Sequence, residues 1–459
     1  MEPVDRRKID KPDVAEATGP EDGVTHGAPA LVIVPILSGR RAAQGSAPRR
    51  TPEARLEEAV GLAAAIALDI KHSSVVRLHD RRPATLFGTG KVEELGALVK
   101  AEEVELVVVD HVLTPIQQRN LERAWNAKVL DRTGLILEIF GERARTKEGR
   151  LQVELAHLTW QKSRLVRSWT HLERQRGSLG FIGGPGETQI EADRRIIQER
   201  ITRLEKELEQ VRRTRTLHRA QRRKIPHPIV ALVGYTNAGK STLFNRLTNA
   251  KVMAENLLFA TLDPTLRKIT LPHGLEVMMS DTVGFISDLP THLVAAFRAT
   301  LEEVLEADLI LHVRDISHAD TSAQAEDVEE TLEQLGVNPK DGVRIVEVWN
   351  KIDRLEPDNR AGLVARTQES GEAIAVSALT GEGVEALLGR VEAILTAERE
   401  VMEVHLSADD GEGLAWLYRA TEVLTREDSE AGMDLRVRVP EKALDAFRAR
   451  FAGQIEGAR

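Results

Sequence analysis

At 459 residues the chain is too long for one ordinary core, and about three domains are expected at roughly 150 residues each. Its zero cysteines exclude disulfides, thiolate metal sites and a catalytic thiol, which suits a reducing compartment and points to the cytoplasm. A formal net charge of -9 argues against a protein that coats nucleic acid with its whole surface, while leaving room for a local basic patch.

Taken in chain order, residues 1–28 are polar and punctuated by Pro and Gly, and read as a disordered tail. Asp5, Arg6, Arg7 and Lys8 precede no apolar core, so neither a secretory signal nor a membrane anchor is expected there. The longest apolar stretch, Ala59 to Leu68, falls well short of the roughly 20 residues a membrane helix needs. An α/β subdomain is expected over 29–149, with strands at Leu31 to Leu37, Val75 to Leu78, Leu106 to Asp110 and Leu135 to Phe140. Helices are expected near Pro52 to Leu68, Lys91 to Ala101 and Pro115 to Trp125. Gly88-Thr89-Gly90-Lys91 lacks both the leading glycine and the hydroxyl after lysine of a phosphate loop, and reads as a turn capping a helix.

Over 150–225 two long helices are expected, because Leu151, Leu155, Leu158, Leu165, Trp169 and Leu172 recur at helical steps, as do Ile190, Ile197, Ile201, Leu204, Leu208 and Val211. Gly177 to Glu187 between them is too rich in Gly and Pro to be helical, so the pair reads as an antiparallel hairpin with a flexible tip. The second helix ends in Val211 to Lys224, where Arg212, Arg213, Arg215, Arg219, Arg222, Arg223 and Lys224 stand without an acid. Such a run is equally a solvated helix face or a phosphate contact.

Pro226 and Pro228 break that pattern and lead into a nucleotide domain expected over 226–398. The apolar strand Ile229 to Val233 runs into Gly234-Tyr235-Thr236-Asn237-Ala238-Gly239-Lys240-Ser241, followed by Thr242 and a helix to Leu247. A glycine-rich turn between strand and helix aims backbone N–H groups at a polyphosphate on the positive helix end. Lys240 is expected on the β- and γ-phosphates, and the Ser241 hydroxyl on Mg²⁺. Asp281-Thr282-Val283-Gly284 follows a strand at Glu276 to Met279, which sets Asp281 against the Mg²⁺ shell, through water, and Gly284 where its N–H senses the γ-phosphate. Phe259 to Thr265 lies where a first switch would be, with Thr261 the preferred Mg²⁺ hydroxyl and Thr265 its competitor. Lys240, Thr261 and Gly284 are the catalytic candidates.

Asn350-Lys351-Ile352-Asp353 ends an apolar strand, the ligand side of an open α/β sheet. A carboxylate that accepts both N1–H and the amino group of guanine cannot do so with adenine, so Asp353 carries base choice and GTP is the expected substrate. Ser377, Ala378 and Leu379, after a strand at Ala373 to Val376, can close over the base with a backbone N–H. Where many switch GTPases carry a water-positioning glutamine after the DxxG glycine, this chain has Phe285, which predicts slow basal hydrolysis. A small α/β module without a chemical motif is expected over 399–459, with strands at Val401 to Leu406 and Leu435 to Val439 and helices at Leu414 to Leu424 and Ala443 to Phe451.

With these residues in place, the chain resembles the HflX family of bacterial GTPases, from about Leu31 to about Ala397. The resemblance is carried by Asp131 to Ala156 (DRTGLILEIFGERARTKEGRLQVELA), Gly183 to Arg195 (GGPGETQIEADRR) and Phe259 to Thr265 (FATLDPT). It implies an N-terminal domain with an α/β part and a helical hairpin, a central P-loop GTPase domain, and a C-terminal extension. It also implies a factor that binds the large ribosomal subunit and intact ribosomes, hydrolyses GTP under their stimulation and splits stalled ribosomes under stress. A monomer is expected, cytoplasmic with a peripheral membrane-associated fraction. Gly183, Gly184 and Gly186 at the tip, with Arg212, Arg213 and Arg215, become the RNA contact candidates. ATP at the N-terminal domain has been proposed for relatives; no sequence-level site for it is found, Lys91 and the basic arm being weak candidates.

Overall fold

The computed structural model describes residues 27–37, 50–173, 185–222, 227–248, 259, 265–287, 303–338, 344–397, 400–429, 432–439 and 441–456. Thr261, Gly183 and Gly184 lie outside the described residues, as do the side chains of Arg212 and Arg215. The chain divides into two compact units, Met1–Glu142 with Gln161–Ile190, and Arg143–Trp160 with Glu191–Arg459.

The first unit is built on a parallel sheet of four strands in the order β2-β1-β3-β4, where β1 is Pro29–Leu37, β2 is Asp69–Leu78, β3 is Leu106–Val109 and β4 is Lys128–Asp131. Helices α1 (Pro52–Ala65), α2 (Thr89–Ala101) and α3 (Pro115–Trp125) connect the strands. Each of α1 and α3 starts where its sequence says it should: Thr51 and Thr114 cap the first turn with their hydroxyls, and proline follows at the first helical position.

The segment expected as a strand at Leu135 to Phe140 is instead part of α4 (Arg132–Arg143), and the strand of that region is β4, just before it. Asp131 explains the difference. Its carboxylate accepts the Gly134 N–H at 2.8 Å, which caps a helix at this point. Arg132 to Leu137, Ile139 and Phe140 are all buried, so residues 132–140 are buried around the helix circumference and the apolar run Leu135 to Phe140 cannot be told by periodicity from a buried strand. Asp131 also accepts the Leu113 N–H at 3.2 Å and Arg164 Nη2 at 2.5 Å. Burial raises its carboxyl above the ordinary range, opposed by Arg164 and the two backbone donors. The Asp131 end of the family-like stretch is therefore the capping hub that joins α3, β4 and α4.

Helix α5 (Lys147–Glu173) and helix α6 (Pro185–Arg222) supply the two long helices. In the second unit Leu151 packs with Leu204 and Leu208, with Leu155, Leu158 and Val211 beside them, and Arg200 reaches Glu154 at 2.7 Å. Pro185 to Glu187, expected in a non-helical tip, opens α6 instead, because proline's fixed φ and missing donor suit a first turn.

The central sheet runs β10-β9-β8-β5-β7-β6. Its strands are β5 (Ile229–Val233), β6 (Thr265–Thr270), β7 (Glu276–Asp281), β8 (Leu309–Asp315), β9 (Ile345–Asn350) and β10 (Ala373–Ala375). All neighbours are parallel except β6 and β7, which form an antiparallel hairpin. Helices α7 (Lys240–Thr248), α8 (Thr321–Gln334), α9 (Pro357–Ser370) and α10 (Val384–Thr396) belong to this layer. Val230, Leu232, Leu243, Phe244, Val277, Leu309, Leu311, Val348 and Leu387 form its core. Parallel strands put their carboxyl ends on one side, so Gly234, Asn350 and Ser377 emerge together there.

The last layer is an antiparallel sheet in the order β12-β13-β11-β14, from β11 (Glu400–Leu406), β12 (Glu422–Ser429), β13 (Gly432–Val439) and β14 (Ile455–Glu456), with α11 (Gly411–Ala420) and α12 (Glu441–Arg450). The helix expected to Leu424 stops at Ala420 and β12 takes over at Glu422. No glycine or proline marks that change, and the strand owes its place to pairing with β13 rather than to its own pattern.

Candidate nucleotide site

The phosphate loop leaves β5 at Gly234, whose φ is +151°; a Cβ there would lie 2.1 Å from the Val313 carbonyl oxygen of β8. Gly239 has a φ of +93°, and a Cβ would meet the Asn350 amide nitrogen at 2.2 Å. Both glycines are thus required by close approach as well as by backbone conformation. Lys240 opens α7 and is buried; its ammonium donates to the carbonyls of Gly234 at 3.1 Å and Tyr235 at 2.8 Å. Burial lowers its pKa to about 8, with the Asp281 carboxylate working the other way and Lys351 adding to the lowering. A buried cation so disposed is a strong receptor for an anion.

Ser241, the next residue, donates its hydroxyl to Asp281 Oδ2 at 2.8 Å. A hydroxyl and a carboxylate this close at the start of a helix form an all-oxygen donor set that suits a hard divalent cation such as Mg²⁺. Thr265 opens β6 directly opposite Asp281 in the antiparallel register, and Phe259 is buried at a φ of 57°. Thr282 turns its hydroxyl to the Leu232 carbonyl at 2.6 Å, which fastens the segment after β7 to the central strand. At Gly284 a Cβ would fall 2.8 Å from the Thr236 methyl and 3.1 Å from Lys240 Nζ, so this backbone lies directly on the phosphate loop. Thr236 is buried, its hydroxyl without a hydrogen-bond partner among the described residues; Asn237 is exposed at a φ of 59°, and Thr242 is half-buried.

The base side is tied to the phosphate side by one amide. Asn350 donates from Nδ2 to the Ala238 carbonyl at 2.8 Å and accepts the Ala378 N–H on Oδ1 at 2.9 Å. Lys351, at a φ of 66°, reaches back to Asp315 at 2.7 Å and lays its side chain toward the phosphate loop. Ser377 donates its hydroxyl to Asp353 Oδ1 at 2.5 Å, which aims that carboxylate, and receives the Thr380 N–H at 3.0 Å. Leu379 is 70% exposed at the tip of this loop. The geometry can take a polyphosphate at one end and a base with two adjacent N–H donors at the other.

Two contributors were not singled out from the sequence. Asp315 holds Lys351, and its signal was available, since a carboxylate ending the apolar run of β8 stands on the ligand side of the sheet. Arg246 in the last turn of α7 reaches the base-side loop, and nothing in its local sequence announces this.

Four family models match this chain in succession between residues 53 and 457. Residues 53–141 match the N-terminal region of GTP-binding GTPases, 143–222 their middle region, 229–351 the 50S ribosome-binding GTPases and 362–457 the HflX C-terminal domain. The GTPase HflX of Magnetococcus marinus is 52% identical over 401 residues, covering 87% of this chain and 90% of that protein. The chain belongs to the HflX family of GTPases. It binds GTP and hydrolyses it, as its family does. The GTPase HflX of Escherichia coli is 44% identical over 360 residues, covering 78% of this chain and 83% of its own. Among solved structures, a GTP-binding protein from the archaeon Sulfolobus solfataricus in complex with GDP aligns at 23% identity over 81% of this chain and 99% of its own, with a TM-score of 0.43. Among the described residues no helix of this HflX-family chain is long and apolar enough to cross a membrane.

Proposed function

We propose that this HflX-family GTPase is a cytoplasmic switch that docks on the large ribosomal subunit in its GTP form, splits or rescues stalled ribosomes, and leaves on hydrolysis. The observation that carries the nucleotide part is the Asn350 bridge, because it holds the phosphate loop and the base-closing loop in one rigid frame. Lys240 neutralises the β- and γ-phosphates, Asp353 reads guanine, and the N–H groups from Gly234 to Thr242 cradle the triphosphate. Ser241 and Thr261 or Thr265 would hold Mg²⁺, with Asp281 acting through water, and the ion would supply positive charge to the phosphate oxygens. Gly284 senses the third phosphate through its N–H, a role supported by its close approach to Thr236 and Lys240. The ribosomal part is supported by the match to 50S ribosome-binding GTPases and by the basic end of α6.

Phe285 is only 2% exposed and cannot orient a water molecule, so basal turnover is slow and the ribosome supplies the acceleration. The test is GTP turnover by the purified protein alone, with large subunits, with small subunits and with intact ribosomes, using Lys240→Ala as the blank. Strong acceleration by large subunits or intact ribosomes is expected. Tight GTP binding with no acceleration would instead favour the second reading that Phe285 keeps open, a nucleotide-gated RNA-binding or ribosome-assembly scaffold in which hydrolysis is minor.

A further inference from the structure

We propose that Arg246 is a positioning residue that couples the phosphate-binding helix to the loop closing over guanine, and so sets how long the nucleotide stays bound. The proposal rests on the guanine-site reading above. Arg246 lies in the last turn of α7, the helix that begins with Lys240 and Ser241. Its Nε donates to the Ala378 carbonyl at 2.6 Å and its Nη2 to the Leu379 carbonyl. One planar guanidinium therefore grips two successive carbonyls, which fixes the orientation of the peptide planes between them. Its Nη1 lies beneath Gly381, where a Cβ would come within 2.7 Å and where φ is +96°, so the loop is shaped around this side chain.

The Ala378 N–H already belongs to Asn350, and Ser377 to Asp353. Leu379, being 70% exposed, has little apolar burial to hold it in place. Arg246 supplies that restraint from the helix that carries the phosphate-binding residues. A cation at the end of a helix ordinarily serves its own carbonyls or the dipole. Here the guanidinium spans 132 residues of sequence to serve another loop, which is the mark of a coupling role.

The experiment is dissociation of a fluorescent GDP, and steady-state turnover with large ribosomal subunits, on the full chain. Arg246→Ala is expected to speed dissociation about tenfold, as loss of a charged hydrogen-bond donor would, and to raise KM for GTP while leaving kcat at saturation within about twofold. Arg246→Lys, keeping one donor and the charge, is expected to recover part of the slow dissociation. Asp353→Asn is run alongside: a switch of preference to xanthosine nucleotides supports the guanine-site reading independently of Arg246. With that switch seen, wild-type dissociation in both Arg246 variants, or a fall in melting temperature with no change in dissociation, overturns the proposal alone. If Arg246→Ala does not fold, the Lys variant decides, wild-type dissociation again overturning the proposal.

Discussion

The backbones of Tyr235 and Phe285 are paired as an isolated parallel bridge, with Thr236 N–H donating to the Phe285 carbonyl at 2.8 Å and Phe285 N–H to the Gly234 carbonyl at 3.1 Å. The Tyr235 phenol adds a third tie by accepting the Ser287 N–H at 2.8 Å. The segment after β7 is thereby stitched to the phosphate loop, and the Phe285 ring is buried in the fold. Phe285→Gln is accordingly expected to bury an amide rather than to present one to water. It should leave single-turnover GTP hydrolysis by the free protein within about threefold and destabilise the fold by about 1–3 kcal/mol, the cost of an unpaired buried polar group. A large rise in the basal rate would show that this side chain does reach the γ-phosphate.

Asp353 is half-buried and receives a hydroxyl hydrogen bond from Ser377, so its acceptor oxygens are oriented before any base arrives. An amide at this position offers one acceptor and one donor and cannot match the two adjacent N–H groups of guanine. Asp353→Asn should weaken GDP binding by about 100-fold or more, since two hydrogen bonds to a charged acceptor disappear, each worth about 1.5–3 kcal/mol. Xanthosine diphosphate, with a carbonyl where guanine has its amino group, should bind the variant better than the parent. Titration calorimetry with both nucleotides reads the exchange.

Much of this site was legible in the chain because each motif residue performs a local job. Gly239 must be glycine for the Asn350 amide to pass, and Lys240 and Ser241 follow as the first residues of a helix. Arg246 was not legible, because its partners lie more than a hundred residues away and a cation late in a helix has an ordinary local explanation. In the fold, Pro115 to Trp125 and Ile229 to Val233 stand where capping and apolar pattern put them. Leu135 to Phe140 did not, since a helix buried on every side carries no periodic signal and only the Asp131 cap distinguishes it.

His312 on β8 sits beside Glu347 in the neighbouring strand, with Nδ1 3.8 Å from its carboxylate, and Glu329 of α8 completes the group. Glu347 is already engaged by Arg314 at 2.8 Å and by the Trp349 indole at 2.7 Å. Burial lowers the His312 pKa to about 4, with Glu347 opposing and Arg314 and Lys240 reinforcing. The folded pKa therefore lies below the ordinary value of about 6.5, and the unfolded chain binds the proton first as pH falls. Stability is fully present above about pH 6.5 and is lost as pH falls toward about 4, by roughly 3 kcal/mol at most. His312→Gln should flatten that part of the profile, read as the difference between urea midpoints of the two proteins at each pH. Glu329, whose carboxyl pKa burial raises, titrates in both proteins and largely cancels in the difference. Parallel profiles across that pH window would show that His312 carries no such linkage.

The basic end of α6 makes a prediction about salt rather than about affinity alone. Arg213 is exposed and donates to Glu209 one turn back at 2.5 Å, so part of its charge is matched within the helix. An exposed pair of this kind is worth only about 0.3–0.5 kcal/mol and yields readily to a phosphate. Arg212, Arg213 and Arg215 replaced together by alanine should weaken binding to large ribosomal subunits. The slope of log K against log salt should fall by about 2, at roughly 0.7 to 0.9 for each phosphate no longer neutralised. GTP affinity should not change, because the phosphate loop and the base loop are held by Asn350, Lys351 and Ser377. Glu209→Ala should act in the opposite sense, freeing Arg213 and strengthening subunit binding modestly at low salt. If the triple variant keeps the parental salt slope, the α6 arm is a solvated helix face and the ribosomal contact lies elsewhere on the chain.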